Sequence, residues 1–166
     1  MVLTIKEKEL VYIGVSVAAG CKPCTNYHIS KAEEAGASDK EIKQAISDAM
    51  CVCNSAKEIM EAHGLKQLGI TKNIGGCGCE ETTRIKELVS IGAGFAVNCT
   101  YNLEKHISAA LTIDITEDEI KSILNTASLI KRKAASHADK IAAKFGTVTQ
   151  NENLEGCCCD VEIEVV

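Results

Sequence analysis

Laid on itself at a constant offset of 78 positions, the chain repeats. Residues 8–43 match residues 86–121 without a gap, and 15 of those 36 pairs are identical, where average composition gives about two or three by chance. KELVYIGVSVAAGCKPCTNYHIS faces KELVSIGAGFAVNCTYNLEKHIS, pairing Glu9 with Glu87, Gly14 with Gly92, Cys21 with Cys99 and His28 with His106. An internal duplication means one supersecondary unit built twice. Any fold proposed for the first copy must also suit the second.

Each copy reads as helices. LVYIGVSVAA is apolar nearly all round, the pattern of a helix buried on most faces, and Pro23 suits the first turn of a following helix. Ser38-Asp39-Lys40-Glu41 and Thr116-Glu117-Asp118-Glu119 are capping boxes at the same offset. An amphipathic stretch follows each box, over 39–63 and 117–143, with Gly64 and Gly146 as stop signals. No period-2 run is sustained within the repeats. We therefore expect an all-α fold of two tandem repeats, each a helix hairpin plus one long helix. The organisation is a first repeat over 1–64, a Gly/Cys linker over 65–82, a second, degenerate repeat over 83–146 and a Cys-rich tail over 147–166. The tail ends in VEIEVV, which could add one short strand.

Composition narrows the function. With no Trp, three Tyr and two Phe among 46 % apolar residues, the core has to be aliphatic. A net charge of −5 argues against a nucleic-acid partner. No uncharged apolar run reaches about 18 residues, which argues against a membrane. MVLTIKEKEL lacks the apolar segment of a signal peptide. The expected location is the cytoplasm, where the ten cysteines would stay largely reduced and serve as reactive or metal-binding thiols.

CKPCTNYH concentrates the chemistry. With ten cysteines a Cys-x-x-Cys pair arises by chance roughly 0.6 times, so the spacing alone decides nothing. Its surroundings matter more. A turn near Gly20 sets residue 28 opposite residue 12, with Glu9 about one helical turn, ~4.5 Å, further along. Cys24 and His28 are i and i+4 on one face, and Cys21 and Cys24 are close enough for a disulfide. A helix N-terminus favours thiolate there. His28 can take the Cys24 proton while Glu9 orients and charge-stabilises the imidazole.

Glu9, Cys21, Cys24 and His28, at these spacings, resemble the signature of the AhpD-like (alkylhydroperoxidase D) branch of the carboxymuconolactone decarboxylase superfamily. The resemblance covers about 5–64 and, more weakly, 83–146. It implies an all-helical, homo-oligomeric protein with thiol-dependent peroxidase or disulfide reductase activity. It places the nucleophile at Cys24, the resolving thiol at Cys21 and a proton relay at His28 and Glu9. A peroxide or a protein or small-molecule disulfide would be the oxidant, a thiol the reductant, and no cofactor would be required. Pro23 stands where that branch often has a histidine. The decarboxylases of the superfamily lack the dithiol, so decarboxylation is not expected.

The second copy keeps Glu87, Cys99 and His106, but Asn102 replaces the second cysteine. We read it as a vestigial site retained for packing. Cys51 and Cys53 fall on different faces of the long helix, one of them in the core. His63 and His137 pair with Ile141 and Ile59 across the repeats, and surface or helix-end roles are expected for both. Outside the repeats, GGCGCEE carries Cys77 and Cys79, and EGCCCD carries Cys157, Cys158 and Cys159. These five thiols could gather a soft metal or metalloid ion such as zinc, cuprous copper or arsenite. They could instead relay electrons to the dithiol, or be surface thiols tolerated in a reducing cell. A cysteine-rich soft-ion binding protein is thus the alternative to the oxidoreductase.

Overall fold

The computed structural model describes residues 3–75 and 82–146. They form six α-helices: α1 (Ile5–Ala18), α2 (Lys22–Glu34), α3 (Asp39–Gln67), α4 (Arg84–Ala96), α5 (Thr100–Leu111) and α6 (Glu117–Ala142). A single 3-10 turn, Ala143–Phe145, follows α6. Among the described residues there is no strand, and the fold is all-α. The suggested C-terminal strand and the five linker and tail cysteines, Cys77, Cys79, Cys157, Cys158 and Cys159, lie outside the described residues.

The two copies have the same local construction. Thr4, Ser38 and Thr116 each cap a helix through a complete capping box with Glu7, Glu41 and Glu119. The hairpin turns need a left-handed residue, and the copies meet the need differently. Gly20 (φ 68°) and Gly36 (φ 82°) serve the first, while Asn98 (φ 57°) and Asp114 (φ 59°) serve the second. Asn and Asp are the side chains best able to replace glycine in that region. Gly64 does not end α3 as expected. The helix runs on to Gln67, and the left-handed residue is Gly69 (φ 76°). A helix-interior glycine weakens a helix by only about 1 kcal/mol, so it stops one only where the chain also turns. Gly146 (φ 84°) does close the end of the second copy.

α1 and α4 cross at the centre, and α3 and α6 both pack on this pair. α2 lies against α1, and α5 against α4. Leu10, Val11, Ile13 and Val15 of α1 are buried together with Leu88, Val89 and Ile91 of α4. Each such side chain contributes about 1.5–3 kcal/mol by leaving water. The crossing is tight at the paired glycines. A Cβ on Gly14 would come within 2.6 Å of Val89 Cγ1, and one on Gly92 within 2.6 Å of Val15 Cγ2. The two copies thus meet through corresponding glycines at the α1–α4 contact.

Candidate functional site

Cys21 is the N-cap of α2, and its Sγ accepts the Cys24 backbone N–H at 3.3 Å. It is joined to Cys24 in a disulfide, with 5.3 Å between the Cα atoms. A sulfur at this position sits among the unpaired N–H groups of a helix start, which stabilise a thiolate. Cys24 is wholly buried, whereas Cys21 reaches the wall of an open cavity.

One helical turn beyond Cys24, His28 is buried, and its Nδ1 lies 2.8 Å from Glu9 Oε2 on α1. Tyr12 and Tyr27 flank the imidazole edge-on, with ring centroids 5.3 and 5.1 Å away. Tyr12 is also anchored across the repeats, its hydroxyl donating to Thr126 Oγ1 at 3.2 Å. The expected hairpin register, with residue 28 beside 12 and 9, is therefore present. Glu9 keeps 16 % of its side chain exposed, in a depression it shares with Lys6, Lys31 and Glu34. A proton passed from His28 to Glu9 has a route to water through that depression.

The second copy repeats the ion pair and little else. His106 Nδ1 lies 2.7 Å from Glu87 Oε2, but here both side chains are sealed, at 3 % and 4 % exposed. Among the described residues His106 Nε2 has no hydrogen-bond partner. Asn102, in place of a second cysteine, is fully buried. Its Oδ1 accepts Ser55 Oγ at 3.2 Å, and its amide donates to the Val52 carbonyl at 3.4 Å. It ties α5 to the long helix of the other copy. Cys99 stays a free thiol. On α3, Cys53 is buried, which pushes its thiol pKa up, and Cys51 is half-buried.

His63 is exposed, as expected. His137 is half-buried and stands at the dithiol, a place that the reading from sequence did not foresee. It projects from α6 beside the dithiol, with one ring nitrogen and both sulfurs within 4.8 Å of one another. Burial pushes its pKa down, and nearby Lys140 and Lys133 add to the effect. The reason lies in how the repeats interlock. The cavity of about 860 Å³ at the first hairpin is lined by Cys21, Lys22 and Tyr27 and, across from them, by Ala134, His137 and Ile141 of α6. The cavity of about 530 Å³ at the second hairpin is lined by Cys99 and Tyr101 and, across from them, by Cys53, Ala56 and Ile59 of α3. Each hairpin faces the long helix of the other repeat. His137 and Ile59 are the corresponding wall positions, as their offset of 78 requires.

A folded tandem of helical units with a Glu–His pair in each copy and a dithiol in one defines a class, and the sequence comparison agrees with it. The profile of the carboxymuconolactone decarboxylase family matches residues 2–63 and again residues 82–144. The chain belongs to that family, with the family's unit present twice. No curated protein and no solved structure shows significant similarity to it. Among the described residues no helix is long and apolar enough to cross a membrane.

Proposed function

We propose that the chain is a dithiol oxidoreductase of the AhpD-like type, which carries two electrons from a thiol reductant to a peroxide or a disulfide. The observation that supports this most is the Glu9–His28 pair at 2.8 Å, one helical turn from a Cys-x-x-Cys pair closed as a disulfide. With Nδ1–H held by Glu9, the lone pair of His28 lies on Nε2, the tautomer a general base requires.

The cycle runs as follows. Cys24 thiolate attacks one oxygen of ROOH, the O–O bond breaks, and ROH leaves once the alkoxide takes a proton delivered through His28. Cys24 is then a sulfenic acid. Cys21 thiolate attacks its sulfur, and the departing hydroxide takes up the proton that Cys21 released and leaves as water, with the Cys21–Cys24 disulfide formed. An external thiolate re-enters at Cys21, the sulfur that reaches the cavity, and expels Cys24 thiolate. A second external thiol group resolves the mixed disulfide, and two electrons have passed from the thiols to the peroxide. The second repeat supplies structure instead of chemistry in this reading. We place the protein in the cytoplasm, as a homo-oligomer, with Ile5, Met60 and Phe145 among the exposed apolar side chains available for self-association.

The test is thiol mapping by mass spectrometry on the reduced chain, before and after one equivalent of hydrogen peroxide. A Cys21–Cys24 disulfide should form quickly in the parent and not at all in Cys24→Ser. In His28→Ala it should form about 10²-fold or more slowly. The proposal for peroxide fails if Cys21 and Cys24 stay reduced while the other thiols react.

A further inference from the structure

His137 has a feature that the oxidoreductase cycle leaves unused. Both of its ring nitrogens are shut from water, and among the described residues neither has a hydrogen-bond partner. A polar atom in that condition costs free energy, and points to a partner that the disulfide form does not hold. The nearby sulfurs of Cys21 and Cys24 have no proton to offer while bonded to each other. Reduction changes the set of donors. Two sulfurs able to ionise and one imidazole then converge, their atoms already within 4.8 Å of one another. Ligands about 2.3 Å (sulfur) and 2.0 Å (nitrogen) from a common centre fit within that span. Two thiolates with one imidazole are the donors that select zinc and cuprous copper over harder ions.

We propose that in the reduced chain Cys21, Cys24 and His137 bind a thiophilic d10 cation of the Zn²⁺ or Cu⁺ class. Cys21 and His137 line the open cavity, which provides the path of entry and leaves a fourth position to water. The second hairpin serves as an internal blank. There Asn102 is committed to Ser55 and Val52, Ile59 replaces the imidazole, and Cys99 shares the cavity with Cys53 of α3 but with no histidine. The imidazole and the second Cys-x-x-Cys thiol occur together at the first hairpin, and their counterparts at the second are Ile59 and Asn102. Metal and disulfide exclude each other at this site. When hydrogen peroxide oxidises the loaded pair, the two thiolates lose two electrons, an S–S bond forms, the O–O bond breaks to two hydroxides, and the cation is released. Binding needs only that the pair be reduced, so it stands independently of whether peroxide is the natural oxidant.

The experiment uses the full-length chain with Cys77, Cys79, Cys157, Cys158 and Cys159 changed to Ser, so that those thiols do not compete. The reduced, metal-free protein is titrated anaerobically with Zn²⁺ against a chromophoric chelator, and with Co²⁺ as a spectroscopic stand-in for thiolate ligation. The expected result is one equivalent of Zn²⁺ bound by the reduced form and none by the disulfide form, with thiolate-to-cobalt charge-transfer bands. His137→Ala and the bulkier His137→Gln, each checked for folding by circular dichroism, should weaken Zn²⁺ binding by at least about tenfold. Cys24→Ser should abolish the charge-transfer bands, and Ile59→Ala should bind as the parent does. Absence of stoichiometric Zn²⁺ binding by the reduced parent would overturn the proposal. So would folded His137 variants that bind Zn²⁺ as tightly as the parent. The peroxide reading is tested separately by disulfide formation in metal-free protein.

Discussion

Glu9 and Glu87 occupy equivalent positions and hold equivalent histidines, yet their surroundings give them different work. Glu9 touches water and can exchange a proton; Glu87 is sealed against His106. Glu9→Gln should therefore slow peroxide-driven formation of the Cys21–Cys24 disulfide by about 10²-fold, followed by stopped-flow or quenched alkylation. His106→Ala should leave that rate unchanged and lower stability by about 3 kcal/mol in urea unfolding, because it strands a buried carboxylate. The pairing of Glu9 with His28 was legible in the sequence, since helical rise and a turn at Gly20 fix the register. The place of His137 was not. Its repeat counterpart is Ile59, and nothing local distinguishes a wall position from a surface one. Asn102 likewise reads as the loss of a cysteine, and its bonds to Ser55 and Val52 depend on a helix 47 to 50 positions away in sequence.

Among the helices, two contacts hold the interlock. The first is the α1–α4 crossing, where Gly14 and Gly92 leave no room for a methyl group against Val89 and Val15. Gly14→Ala and Gly92→Ala should each destabilise by about 1–2 kcal/mol in denaturant unfolding, the overpacking cost outweighing the better helix propensity of alanine. The repeat alignment shows that these glycines correspond, but not that they meet. The second contact is Arg84 at the start of α4, which binds Glu7 at 2.8 Å and Glu119 at 2.7 Å, the glutamates of two capping boxes. The Arg84 hydrogen bonds hold the Glu119 carboxyl down at about 2 against burial, with help from Thr116. A folded-state pKa below the ordinary 4.5 means this stabilisation is complete above about pH 4.5 and is lost as pH falls toward about 2. Arg84→Met should thus cost about 1–3 kcal/mol at pH 7, and its deficit relative to the parent should shrink through that acid window. Of these two boxes, the one at Thr116 was read from spacing and the one at Thr4 was not. The arginine linking them was not, because it stands 77 and 35 positions from the two glutamates, one in each repeat.

At the scale of the whole molecule, the two repeats share one core. α1 buries its apolar faces against α4 and α6 as well as α2 and α3. A fragment ending at residue 75 would expose most of that surface. We expect it to be helical only where it pairs with a second copy of itself, so its circular dichroism should depend on concentration while that of the full chain does not. Duplication, helix content and the hairpins follow from periodicity and caps, which are local. Which long helix covers which hairpin is a matter of three-dimensional pairing, and an offset of 78 in sequence is silent about it.

That exchange of walls has an evolutionary consequence. In a homodimer built the same way, a substitution on the long helix would alter both cavities at once, since one gene encodes both walls. With the halves joined in one chain, position 137 can become histidine while position 59 stays isoleucine. The polypeptide is, in effect, a covalent heterodimer, free to specialise one cavity and leave the other to hold it in shape.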